Sequence, residues 1–210
     1  AGGTNLTTSG AATVTMTLTG NGTLGAASNS NGTWTATLTA PTTLGSGSVS
    51  ATINGAAIST GDPLVAYVAG PATKYLVTSS GASPVAGTAV TISAQQADAF
   101  NNPVITARTV TWSNTGGGAF GSPTSATNAS GIATVSFTTN TTAATSHLVA
   151  ATDNVAVTGT SAAIQTVPGA GANYLVTPAS TSPAAGSGVT VTAQLRDVNN
   201  NAVSQPLQTV

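Results

Sequence analysis

Apolar and polar residues alternate with a period of two along much of this chain. Val90, Ile92 and Ala94 interleave with Thr91, Ser93 and Gln95, and Ala133, Val135 and Phe137 interleave with Thr134 and Ser136. Successive side chains of a strand point to opposite faces, so the pattern predicts strands buried on one side only. Thr and Val suit that pleated surface because β-branching packs well on it. Turn residues such as Asn101-Asn102-Pro103 and Asn128-Ala129-Ser130-Gly131 punctuate the strands, and no segment carries a helical period.

The strands come in a repeating set. Tyr75-Leu76-Val77-Thr78 returns about 99 residues later as Tyr174-Leu175-Val176-Thr177, and Val90 through Gln95 returns as Val189 through Gln194. Asp98 falls on Asp197. Thr13-Val14-Thr15-Met16 matches Thr109-Val110-Thr111-Trp112, Gly22 through Gly25 matches Gly118 through Gly121, and Gly32 through Leu38 matches Gly131 through Phe137. Gly70-Pro71-Ala72 and Pro168-Gly169-Ala170-Gly171 punctuate the repeat. The expected division is an incomplete unit at 1–71 lacking its opening strands, a complete unit at 72–170, and the opening strands of a third at 171–210.

Seven or so short strands in roughly 100 residues, with turns every 8 to 12, describe an immunoglobulin-like sandwich. The predicted fold class is therefore all-β, with tandem immunoglobulin-like β-sandwich repeats of period about 99 residues. The expected core is Leu76, Val90, Ile92, Val110, Trp112, Phe120, Val135, Phe137 and Val149, with Trp34 and Leu38 serving the first unit. Tyr75 and Tyr174, at the repeat starts, are expected at junctions between units.

Three stretches resemble a known family. Asp98-Ala99-Phe100-Asn101-Asn102-Pro103-Val104, Thr109-Val110-Thr111-Trp112, and Thr127-Asn128-Ala129-Ser130-Gly131-Ile132-Ala133-Thr134-Val135 are similar to the bacterial Ig-like repeats of invasin and intimin type adhesins. The resemblance covers the central repeat and parts of both flanks. It implies a stalk or spacer on the cell surface and no catalytic residue. This chain departs from the family in how little charge it carries.

Charged residues are only 3% of the sequence, where about 25% is usual: Asp62, Lys74, Asp98, Arg108, Asp153, Arg196 and Asp197. A net charge of −1 offers no basic footprint for nucleic acid or an acidic membrane. Apolar runs are interrupted too often for a membrane-spanning helix. Without Cys there is neither a disulfide framework nor thiol chemistry, and Ala1-Gly2-Gly3 shows no basic or apolar leader.

Catalytic chemistry has few candidates. His147 is the sole histidine and reads as a surface residue; Asp153, six residues further along the expected strand, would lie about 20 Å away, too far to orient it. The four Asp are scattered, so paired carboxylates are not expected. Asp98 and Asp197 recur, but one carboxylate per turn is too few for calcium, and an Asx turn explains them. Gly116-Gly117-Gly118 reads as a tight loop rather than a phosphate cradle. The expectation is of no enzyme, with no catalytic, cofactor-binding or metal residue. Asn5, Asn21, Asn31, Asn128 and Asn140 head Asn-x-Ser/Thr sequons, so glycans are a possible partner.

Self-association is the stronger expectation. Exposed sheet edges are normally guarded by charge, and Lys74 is the single lysine. Each end of the chain reads as half a sandwich, so either strands 172–196 of one subunit complete the N-terminal unit of the next, head to tail, or the chain continues a longer tandem array. Residues 197–210 overlap in register with 1–14, which complicates a simple splice. The expected function is a structural segment of an extracellular or cell-surface filament or adhesin stalk; a carbohydrate-binding module and a virion decoration protein are the alternatives.

Overall fold

A computed structural model describes residues 12–57 and 61–204. Every regular element among them is a strand. Contacts divide the chain into two units, residues 1–71 and 72–210.

The first unit holds β1 (Val14–Gly20), β2 (Thr23–Leu24), β3 (Ser28–Ser30), β4 (Thr33–Thr35), β5 (Leu38–Thr39), β6 (Gly45–Ile53), β7 (Ala56–Ala57) and β8 (Leu64–Tyr67). Its main sheet is β1-β6-β7, with β8 also on β6, while β2 pairs β5 and β3 pairs β4. Trp34 and Leu38 are only half-buried. The inward positions of β1 and β6 are also mostly half-buried.

The second unit begins with β9 (Lys74–Ser79), β10 (Ala89–Ala97), β11 (Thr109–Asn114), β12 (Ala119–Phe120), β13 (Thr124–Ala126) and β14 (Ile132–Thr138). It continues with β15 (Ser146–His147), β16 (Val149–Asp153), β17 (Thr158–Thr160), β18 (Ile164–Gln165), β19 (Asn173–Pro178) and β20 (Val191–Arg196). Two four-stranded antiparallel sheets, β12-β14-β10-β9 and β13-β11-β16-β17, face each other, and a parallel bridge joins Val85 to Val167. Between the sheets lies a core that includes Tyr75, Val77, Ile92, Val110, Trp112, Phe137 and Val149. Phe137 touches Phe120 at a ring separation of 5.0 Å. The indole N–H of Trp112 donates to Ser125 Oγ at 2.9 Å, so the ring is buried without losing a hydrogen bond.

Two core expectations need correction. Leu76 is 38% exposed, while Tyr75 and Val77 on either side of it are buried. Strand parity explains this: Leu76 pairs with Gln95, and both lie on the outer face, whereas Val77 pairs with the fully buried Ala94. Tyr75 therefore belongs to the sandwich core and not to a junction. Burial predicts that Phe137→Ala costs about 3–5 kcal/mol, while Leu76→Ser stays within about 0.5 kcal/mol, as read by denaturant unfolding.

Candidate assembly surfaces

Four loops of the second unit are built to one plan. In each, an Asp or Asn accepts through Oδ1 from the backbone N–H groups two and four residues on: Asp98 from Phe100 and Asn102, Asn128 from Ser130 and Ile132, Asp153 from Val155 and Val157, and Asp197 from Asn199 and Asn201. The residue three on takes a left-handed conformation: Asn101 (φ 69°), Gly131 (φ 73°), Ala156 (φ 66°) and Asn200 (φ 68°). Short polar side chains bond their own turn in this way, and Asn and Gly tolerate positive φ. The Asx turns expected at Asp98 and Asp197 are present. The N–H donors occupy lone pairs that a cation would otherwise use.

The Asp197 loop also fastens β19–β20 to the sandwich. Asp197 Oδ2 accepts from Gly169 N–H at 2.8 Å, on the linker. Asn201 Nδ2 donates to Thr141 O at 2.9 Å, and Ala143 N–H donates back to Asn201 Oδ1 at 2.8 Å. Asn199 Nδ2 donates to Ala86 O at 3.2 Å. With hydrogen bonds from Asn201 first, and from the Gly169, Asn201 and Asn199 backbone besides, the carboxyl of Asp197 is held down at about 2 against the opposing effect of burial.

Beyond that clamp, β19–β20 is bare. Tyr174 is 39%, Val176 58% and Val191 60% exposed, although their counterparts Tyr75, Val77 and Ile92 are buried. The hairpin has the register of β9–β10, with Tyr174 opposite Leu195 and Val176 opposite Ala193, but no facing sheet. It is one layer of a sandwich.

The polar residues that remain are internal fittings. Asp153 Oδ2 accepts from the Tyr75 hydroxyl at 3.2 Å and forms an ion pair with Arg108 Nε at 3.6 Å. Burial, and then the Asp153 charge, push the Tyr75 hydroxyl up to about 12. Gln96, fully buried, donates to Thr106 O at 2.9 Å and accepts from Thr106 Oγ1 at 3.0 Å.

The reading of His147 as a surface residue is overturned. It is fully buried, packs edge-on against Phe137 at 5.5 Å, and directs Nδ1 to Thr115 O at 3.3 Å. A carbonyl only accepts, so Nδ1 carries the proton. The space it fills comes from Gly116 (φ 80°), where any side chain would press on the imidazole and on Ser146 O. In the first unit the matching strand position is Gly47, and the Tyr67 hydroxyl lies over it, donating to Asn21 O at 2.7 Å. One plug replaces the other. Sequence reasoning missed this because a two-residue strand carries no readable alternation.

Among the described residues no three His, Cys, Asp or Glu side chains gather as a metal site requires. Trp112 is buried and Trp34 half-buried, so neither presents a flat aromatic platform. Of the sequons, Asn140 spends its Nδ2 on Gly116 O at 2.7 Å, and Asn5 lies outside the described residues.

These features define a class: all-β, immunoglobulin-like sandwich units in tandem along the sequence. Residues 1–70 match the family model of invasin domain 3. Over those residues the first unit is similar to an invasin-type bacterial Ig-like domain. Among solved structures, the D00–D0 domains of intimin align at a TM-score of 0.50 and 16% identity, covering 74% of this chain and 84% of that one. The Yersinia pseudotuberculosis adhesin InvE aligns at a TM-score of 0.40 and 21% identity, over 75% of this chain and 49% of its own. The Escherichia coli adhesin FdeC aligns at 0.46 and 19%, over 88% and 62%. The chain thus spans about half of the InvE structure and under two thirds of the FdeC structure. No curated protein sequence matches it.

Two pH dependences follow. Asp197 has a depressed folded pKa, so its contribution to the clamp is present above about pH 4 and is lost as pH falls towards about 2. The Gly169 amide should be protected from hydrogen exchange at neutral pH and become labile in acid, or at any pH in Asp197→Ala. Tyr75 has a raised folded pKa, so its contribution is complete below about pH 10 and declines towards about 12. Alkaline unfolding curves should lose part of that decline in Tyr75→Phe.

Proposed function

We propose that the chain is a structural segment of an extracellular stalk or filament on a bacterial surface, a spacer made of Ig-like beads. The observation that carries this reading is the Asp197 clamp, which ties the opening strands of one repeat to the body of the one before it through Gly169, Thr141, Ala143 and Ala86. Fixed junctions turn a string of beads into a rod. The invasin-type match of residues 1–70 supports the surface location. The division into 1–71, 72–170 and 171–210 belongs to the same reading, with the bare β19–β20 layer completed by further strands. Those strands come from the continuation of an array or, as donated strands, from a neighbouring chain. Of the stretches 1–14 and 197–210, which overlap in register, residues 1–11 and 205–210 lie outside the described residues.

The near absence of charge fits an exposed fibre. Contacts made by apolar burial and neutral hydrogen bonds are barely screened by salt. Negative-stain micrographs should show beaded rods of constant axial spacing, unchanged from low salt to about 1 M. Compact particles without an axial repeat contradict the proposal. Retained binding to a glycan array, lost in Trp34→Ala with the fold intact, favours a carbohydrate-binding module instead.

A further inference from the structure

Beyond β9 the chain runs alongside the last strand of the same sandwich. Gln165 N–H donates to Ala82 O at 2.8 Å, Val167 N–H to Pro84 O at 2.9 Å, and Ala86 N–H to Val167 O at 2.9 Å. With Val85 bridged to Val167 in parallel, these bonds make a short parallel ladder between residues 82–86, near the start of the repeat, and 165–167, at its end. The outgoing segment is held on its other side too, where Ile164 pairs with His147 and Ala144 N–H donates to Thr166 O at 2.8 Å. Ala86, Ile164 and Thr166 are buried, so much of the ladder lies away from competing water.

Direction gives this ladder a task. The chain enters the repeat ahead of residues 82–86 and leaves it after 165–167, so tension draws the first segment back towards its start and the second onward towards its end. In two parallel strands those pulls are opposed along one axis. Bonds that cross that axis share the load and must slide together, whereas antiparallel segments under the same tension would open from one end, bond by bond. Resistance to forced unfolding is set by the unfolding rate and not by equilibrium stability, so the direction of loading matters as much as the number of bonds. β9 lies in the load path as well, since it pairs with β10 from Lys74 to Ser79. The 82–86 ladder differs in tying the incoming segment directly to the outgoing one.

The hairpin that follows grips both sides of the ladder. Asn199 Nδ2 donates to Ala86 O at 3.2 Å, and Asp197 Oδ2 accepts from Gly169 N–H at 2.8 Å. Next along the incoming segment, Gly87 N–H donates to Asn140 O at 2.7 Å. Load arriving through β19–β20 is thus handed to Ala86 through Asn199 as well as along the backbone through Gly169.

We propose that residues 82–86 and 165–167 form a shear clamp through which the repeat withstands tension along the chain, so that the molecule bears force in addition to spanning distance. The inference rests on reading the chain as a surface stalk, where tension runs from end to end, and it names the bonds that carry that tension.

Single-molecule pulling on the full chain tests it, with handles on introduced cysteines because the sequence has none of its own. Ala82, Ala163 and Ala170 are exposed, and the ladder uses only backbone atoms, so substituting them removes none of its bonds. Handles at Ala82→Cys and Ala170→Cys load the ladder in shear. Handles at Ala82→Cys and Ala163→Cys, at the starting ends of both segments, peel it. The shear pair should withstand at least about threefold the force of the peel pair, because the same bonds fail together in one case and singly in the other. Gln165→Pro, which lacks the N–H given to Ala82 O, should lower the shear force. Equal forces in the two directions, or a folded Gln165→Pro chain that withstands shear as the parent does, overturns the clamp. The comparison of directions removes no bond, so it decides the matter even where Gln165→Pro does not fold. Beaded rods in micrographs with equal forces would leave the stalk reading standing and remove only the clamp. Compact particles with unequal forces would remove the stalk and leave the clamp as a property of the sandwich.

Discussion

A β-sheet with one apolar face must be covered by a second layer, and every notable feature of this chain follows from where that requirement is met. Between β9 and β18 it is met by two four-stranded sheets that bury Ile92, Val110, Ala151 and Phe137 to zero exposure. Each large apolar side chain so buried contributes roughly 1.5–3 kcal/mol, which allows a chain without cysteine to hold a sandwich of ordinary size. In β19–β20 the same alternation faces open space. The residues of that hairpin differ little from those of β9–β10, so its exposure does not reflect a different intrinsic preference.

Polar chemistry serves geometry throughout. Three of the four Asp side chains accept hydrogen bonds from their own loops, as Asn128 does, and Asp197 adds the junction with Gly169. Because these loops close on backbone donors, their turns are held by their own hydrogen bonds. The ion pair of Arg108 with Asp153 sits beside the Tyr75 hydroxyl.

Much of this was legible in the residues. The period of two, the recurrence of Tyr-Leu-Val-Thr about 99 residues on, and the turn residues between strands pointed to tandem sandwiches, because strand alternation is a local property. The Asx turns at Asp98 and Asp197 could be read for the same reason. Parity in short strands was harder to read. Tyr75, Leu76 and Val77 are all apolar, so nothing local says which of them faces inward, and only the pairing with β10 decides. His147 was missed because its burial depends on a glycine 31 residues earlier in the chain and on Phe137 beneath it, both distant in sequence. The junction contacts of Asn199 and Asn201 were illegible too, since their partners are backbone carbonyls, which every residue carries.

Amide hydrogen exchange, followed residue by residue, bears most directly on the claim that β19–β20 forms a two-stranded sheet with no sheet facing it among the described residues. In dilute solution the amides of Val191 through Leu195 should exchange far faster than those of Ile92 through Gln96. Protection of β19–β20 equal to that of β9–β10 at the lowest concentration would mean that the hairpin is complete by itself.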